Sequence, residues 1–181
     1  QIEVIKKLGI SYIEMRGVNG KPLVEYSLEE VQEIKKQLDR NGIRLSSIGS
    51  PIGKINITED FDVHFELYKK TVEIAIPSGE EPEIYKNQVF ERLKSFVDYA
   101  VQEDVILLHE NEKEIYGDNA KRCLEIMEQF SGEHFKAVFD FANFVQCHQD
   151  TKEAYELLKP YIEYIHIKDA KTESGMVVPA G

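Results

Sequence analysis

Glu110, Asp140 and His166 each stand within or directly after a short apolar run, where a titratable side chain is costly to keep. Glu110 lies in His109–Glu110–Asn111–Glu112, after Val105–Leu108. A carboxylate at the end of a buried strand needs a positive partner, and a divalent cation is the usual one. Asp140, in Phe139–Asp140–Phe141–Ala142–Asn143, repeats the arrangement one strand later, with Asn143 three residues on. His166, in Ile165–His166–Ile167–Lys168–Asp169, sits inside an apolar alternation that aims it into a sheet interior. Each has a plainer reading alone: a solvated acidic loop, a helix cap, a hydrogen-bonded core histidine. Carboxylate, carboxylate and imidazole on three neighbouring strand ends together form a donor set suited to Mn²⁺, Mg²⁺, Co²⁺ or Zn²⁺. The segment is not a zincin helix, because no second histidine follows His109–Glu110 at the required spacing.

Other signals are weaker. Gly49–Ser50–Pro51–Ile52–Gly53–Lys54 is one residue short of a phosphate-cradling P-loop and lacks its final Ser or Thr. It reads as a loop from which Lys54 could reach an anionic substrate group. Glu14 and Arg16 project to one side of their strand, as an ion pair or as substrate contacts. Asn143, Glu14, Arg16, Lys54 and Lys168 make up the expected substrate-binding set. His64, His134 and His148 lie in helical or turn contexts and receive no role. Cys123 and Cys147 lack CxxC spacing and read as free buried thiols of a cytoplasmic protein.

These residues must be held by elements that alternate in type. Tyr12–Met15, Ile43–Ile48, Val105–Leu108, Ala137–Phe139 and Ile162–Ile167 read as buried strands. Between them, Ser27–Leu28–Glu29–Glu30 is a capping box opening a helix striped by Leu28, Val31, Ile34 and Leu38, with Gly42 past its end. Phe61, Phe65, Tyr68 and Val72 recur at helical spacing, as do Val89, Leu93, Phe96 and Ala100. Asp118 is the expected cap of a helix bearing Ala120, Leu124 and Met127. Thr151 is the expected cap of another, bearing Ala154, Leu157 and Leu158 and stopping at Pro160. Strands alternating with helices imply a parallel sheet wrapped by helices. No glycine-rich turn follows any strand, and the polar residues come from several strand ends, which favours a (β/α)₈ barrel over a doubly wound sheet. One place breaks the alternation. The helix ending at Ala75 runs into Ile76–Pro77–Ser78–Gly79–Glu80–Glu81 and another helix, so a strand is expected to be missing at Ala75–Ile76. The sequence also begins in a helix and stops in a loop, so a strand is expected to be missing at each end of a single domain spanning 1–181.

Composition narrows the partners. The 181 residues are 42% hydrophobic and 30% charged, enough for a sizeable core. The formal net charge of −11, with dispersed lysines, opposes nucleic-acid binding. No run approaches the roughly 20 apolar residues of a membrane span, and no signal peptide is visible. A small molecule bound through a metal is compatible, as is a homo-oligomer.

Five segments carry a resemblance: 12–20, 46–53, 107–112, 139–144 and 164–170. In this order, across nearly the whole chain, they resemble the sugar phosphate isomerase/epimerase family. It belongs to the xylose-isomerase-like TIM-barrel superfamily, with ketose 3-epimerases, inosose dehydratases and endonuclease IV. The resemblance implies a metal held by Glu110, Asp140 and His166, with a fourth ligand, a strand-eight Glu, expected beyond residue 181. It implies proton transfer next to a carbonyl through an enediolate in a small-molecule carbohydrate, with Glu110 as one base. A dehydratase of a keto-polyol is the alternative. An endonuclease IV-like nuclease fits less well, because Asn143 stands where many relatives carry His and no basic face is present. A non-catalytic sugar-binding barrel completes the alternatives.

Overall fold

The computed structural model describes residues 1–49 and 86–180. Helix α1 (Ile2–Lys7) leads into strand β1 (Tyr12–Met15) and a hairpin of β2 (Gly17–Val18) and β3 (Lys21–Pro22). Helix α2 (Leu28–Arg40) and strand β4 (Arg44–Ile48) follow. From residue 86 the order is α3 (Lys86–Gln102), β5 (Leu107–Glu110), α4 (Ala120–Phe130), β6 (Phe135–Asp140) and α5 (Phe141–Gln146). The chain continues through α6 (Thr151–Leu158), β7 (Ile162–His166) and a second hairpin of β8 (Asp169–Ala170) and β9 (Val177–Val178). Lys54, the helix expected around Phe61–Val72 and the strand expected to be missing at Ala75–Ile76 lie outside the described residues.

The core strands are parallel, as the alternation requires. β1 pairs with β4, and β5, β6 and β7 form a three-stranded sheet in that order. The two sheets do not join among the described residues. They meet where Ser46 Oγ on β4 and Tyr164 Oη on β7 lie 3.0 Å apart. Register shifts between Ile13 and Glu14 and between Ala137 and Val138 set Glu14 opposite Ser47 and Asp140 opposite His166. Such irregularities re-aim side chains near sites. The antiparallel hairpins follow β1 and β7 and stand apart from these parallel ladders.

Helix boundaries follow local chemistry. Ser27 Oγ accepts from Glu30 N at 3.2 Å, and Ser27 N donates to Glu30 Oε2 at 2.8 Å, closing the expected capping box. Gly42, at φ +71°, ends α2 in the left-handed region. The stripe of α2 is narrower than expected, because Leu28 is 78% exposed and only Leu38 is fully buried. In α3 all four expected residues, Val89, Leu93, Phe96 and Ala100, are buried, packing with Leu107, Phe135 and Ala137. A second cluster joins Phe139 and Phe144 to Ala154 and Leu158 of α6.

Two expected caps are corrected by one residue each. Asn119, not Asp118, caps α4, its side chain accepting from Arg122 N at 3.0 Å, while Asp118 pairs with the Arg122 guanidinium. Asp150, not Thr151, caps α6, accepting from Lys152 N and Glu153 N at 2.9 and 2.8 Å. Both shifts replace one good cap with the neighbour whose side-chain oxygen reaches the free N–H groups. Strand β5 starts at Leu107 instead of Val105, so Glu110 closes the strand itself. Val105 and Ile106 are instead half exposed. Cys123 is buried as expected, but Cys147 is only partly so. No helix among the described residues is long and apolar enough to cross a membrane.

Candidate metal and substrate site

Three adjacent parallel strands end on one cluster. Glu110 closes β5, Asp140 closes β6 and His166 closes β7. Their ligand atoms all lie within 4.8 Å of one another. His166 Nδ1 is 2.7 Å from Glu110 Oε1 and 4.0 Å from Asp140 Oδ2. Around a hard divalent ion, ligands at about 2.1 Å from the metal stand roughly 3 to 4 Å apart. The donor set suits a divalent cation, and its spread, from 2.7 Å up to 4.8 Å, reaches that range with small side-chain adjustments.

Asp140 divides its work. It is 1% exposed, and its Oδ1 accepts from Asn143 N at 3.0 Å as the cap of α5. Its Oδ2 faces the ring and the Lys168 ammonium, 3.2 Å away. The expected conflict between cap and ligand is resolved by using one oxygen for each.

Glu14 comes from the opposite sheet. Its Oε2 lies 2.7 Å from His166 Nε2, so the imidazole is gripped at both nitrogens by carboxylates. Ser47 Oγ donates to Glu14 Oε2 at 3.3 Å, and Arg16 Nε donates to Glu14 Oε1 at 3.2 Å. Arg16 also reaches towards Glu110, with Nη2 at 4.0 Å from Oε2. The two readings of Glu14 and Arg16 thus meet: they pair with each other and also border the cluster. Lys168 Nζ donates to Asn143 Oδ1 at 2.8 Å, which turns the Asn143 amide so that Nδ2 donates to the Asn111 carbonyl at 2.8 Å. The same Nδ2 stands 3.4 Å from Glu110 Oε1. The structure thus gathers Glu14, Arg16, Glu110, Asp140, Asn143, His166 and Lys168, while Lys54 lies outside the described residues.

The charges adjust to this company. Hydrogen bonding to Glu110 raises His166 to about 9 against the opposing effect of burial, with Glu14 adding to the rise. Burial alone would raise the Glu110 carboxyl, but His166, Lys168 and Arg16 together hold it below the ordinary range. Glu14 behaves likewise, burial being outweighed by His166 and Arg16. Asp140 goes the other way. Burial, with the like charge of Glu110, raises it despite the Asn143 N–H and Lys168.

Two residues escaped the sequence reading. Asn111 is buried and bonds the backbone of Asp140, yet an asparagine after a strand-end glutamate gives no sign of its direction. His109 turns away from the cluster; an added Cβ on Gly117 would lie 2.5 Å from its Cε1. The β2–β3 hairpin had a legible signal: Asn19–Gly20, both at positive φ, is the two-residue turn such hairpins favour.

Comparison with solved structures finds the same fold at low identity. The probable 3-DHS dehydratase AsbF of Bacillus anthracis, involved in petrobactin synthesis, aligns with a TM-score of 0.72 at 18% identity, over 95% of this chain and 68% of that one. A xylose isomerase-like TIM barrel protein from Mycobacterium smegmatis, in complex with magnesium, aligns at 0.70 and 16%, over 99% and 70%. A D-psicose 3-epimerase in the presence of D-fructose gives 0.69 and 20%, over 91% and 65%. No curated protein matches the sequence. The described strands and helices are those of a (β/α)₈ barrel, incomplete in these residues. The family model described as xylose isomerase-like TIM barrel matches residues 2–178, and this chain belongs to that family.

Proposed function

We propose that this protein is a divalent-metal-dependent isomerase or epimerase that moves a proton next to the carbonyl of a sugar, keto-sugar or sugar phosphate. The observation that carries the reading is the meeting of Glu110, Asp140 and His166 at the ends of three adjacent parallel strands. These three would hold the metal, as Mn²⁺, Mg²⁺, Co²⁺ or Zn²⁺. A divalent cation there supplies Lewis-acid stabilisation of the charge that develops when a carbon-bound proton leaves. Glu110 stays ionised at neutral pH because its cationic neighbours outweigh burial, so it can accept that proton. Arg16 and Lys168 bring donors to the same mouth, suited to substrate hydroxyl and carbonyl oxygens, with Asn143, Glu14 and Lys54 completing the proposed set. The net charge of −11 supports a small carbohydrate in preference to nucleic acid, and a cytoplasmic setting accords with the free thiols.

Incubation with Mn²⁺ and a panel of ketoses in heavy water is expected to place deuterium on one carbon. Glu110→Gln should keep the fold and lose at least about 100-fold of that exchange, the lower range for a positioned base. Undiminished exchange in the variant would remove Glu110 from the role. A dehydratase is the second reading, favoured by Lys168, whose ammonium beside Asn143 could protonate a departing hydroxyl. Release of water, seen as a new conjugated carbonyl absorbance, distinguishes it from exchange alone.

A further inference from the structure

We infer that Asn111 is a positioning residue that fixes the spacing of Glu110 and Asp140, an assignment that rests on the metal-site reading above and extends it. The paired part of β5 ends at Glu110, opposite Val138, while β6 runs two residues further to Asp140. The Asp140 peptide therefore lies beyond the last β5 ladder partner. The Asn111 side chain supplies what the ladder no longer does. Asp140 N donates to Asn111 Oδ1 at 2.9 Å, and Asn111 Nδ2 donates to Asp140 O at 3.0 Å. One side-chain amide thus stands in for a peptide group and ties the two strand ends together. The Asn111 carbonyl in turn accepts from Asn143 Nδ2, joining the clamp to the residue that Lys168 orients.

Asn111 is 3% exposed, so water cannot readily replace its amide. Its side chain is bonded to the peptide of Asp140, and Glu110 is the residue directly before it. It acts on the cluster only through the backbone that carries the two carboxylates. Loss of the amide frees the ends of β5 and β6 to separate, and two ligands held at variable spacing bind an ion less tightly. Outer partners that orient metal ligands typically matter by about 10- to 100-fold in affinity.

The test is Mn²⁺ titration of the full chain and of Asn111→Ala, reading free Mn²⁺ by electron paramagnetic resonance, with circular dichroism to verify folding. The expected result is Mn²⁺ binding about 10- to 100-fold weaker in the folded variant, accompanied by altered visible bands of bound Co²⁺. Should Asn111→Ala fail to fold, Asn111→Ser, whose hydroxyl is too short to bridge both groups, is expected to weaken Mn²⁺ in the same direction. A folded variant with a lowered melting temperature but unchanged Mn²⁺ affinity and Co²⁺ bands would make Asn111 purely structural and overturn the inference. Absence of Mn²⁺ binding by the unaltered chain would overturn the metal-site reading, and this inference with it.

Discussion

His166 shows how two neighbours set one residue's charge. Both ring nitrogens lie 2.7 Å from carboxylate oxygens, and both can donate only in the imidazolium form. Its folded value of about 9 exceeds the ordinary value near 6.5, so the folded state holds the proton more tightly. The resulting stability is full below about pH 6.5 and is lost as the pH rises through about 9. Urea midpoints of the metal-free protein should therefore fall between pH 6.5 and 9, and His166→Gln should flatten that limb. A midpoint that does not change over this range would contradict the doubly held imidazolium. His109 has the opposite sign. Burial pushes it down to about 4, so the unfolded chain takes up a proton first as the pH falls. That contribution is present above about pH 6.5 and disappears towards pH 4, and replacing His109 should soften the acid limb.

At the scale of elements, caps and core are distinguishable by single substitutions. Asp150 carries the first turn of α6 with two hydrogen bonds, whereas Thr151 is already inside the helix. Asp150→Ala is expected to lower stability by about 1 kcal/mol, and Thr151→Ala by much less, in paired denaturant melts. Equal effects would return the cap to Thr151. Phe135 is 1% exposed and packs edge-on to Phe130, linking β6 to α4. Phe135→Ala should cost about 3–5 kcal/mol, the range for emptying a buried aromatic site, measured by the same melts.

For the whole molecule, the cluster is where two sheets are tied together. Glu14 and Ser46 reach from one sheet to His166 and Tyr164 on the other. A cation that binds the folded chain alone stabilises it by about 2.7 kcal/mol at 100 times its dissociation constant. Saturating Mn²⁺ is expected to raise the melting temperature, a chelator to reverse the rise, and His166→Ala to abolish most of it. A melting temperature indifferent to Mn²⁺ and chelator would leave the cluster as an internal ion-pair network.

The sequence was legible wherever a local rule decides. Short apolar runs located five strands to within two residues, although only β6 is mostly buried and β4 (Arg44–Ile48), expected to be buried, is largely exposed among the described residues. The capping box at Ser27 and the stripe of α3 depend only on spacing along one helix. The gathering of Glu110, Asp140 and His166 was legible for a similar reason, since parallel strands joined by helices bring their C-terminal ends to one face. Tertiary structure decided what depends on direction across strands. Neither Asn111 in the Asp140 backbone nor Glu14 on the far nitrogen of His166 follows from spacing: Asn111 lies just past the end of the β5 ladder, and a register shift at Ile13–Glu14 aims Glu14. The choice between adjacent caps, Asn119 over Asp118 and Asp150 over Thr151, was likewise made by which oxygen reached the first free N–H groups as each helix docked.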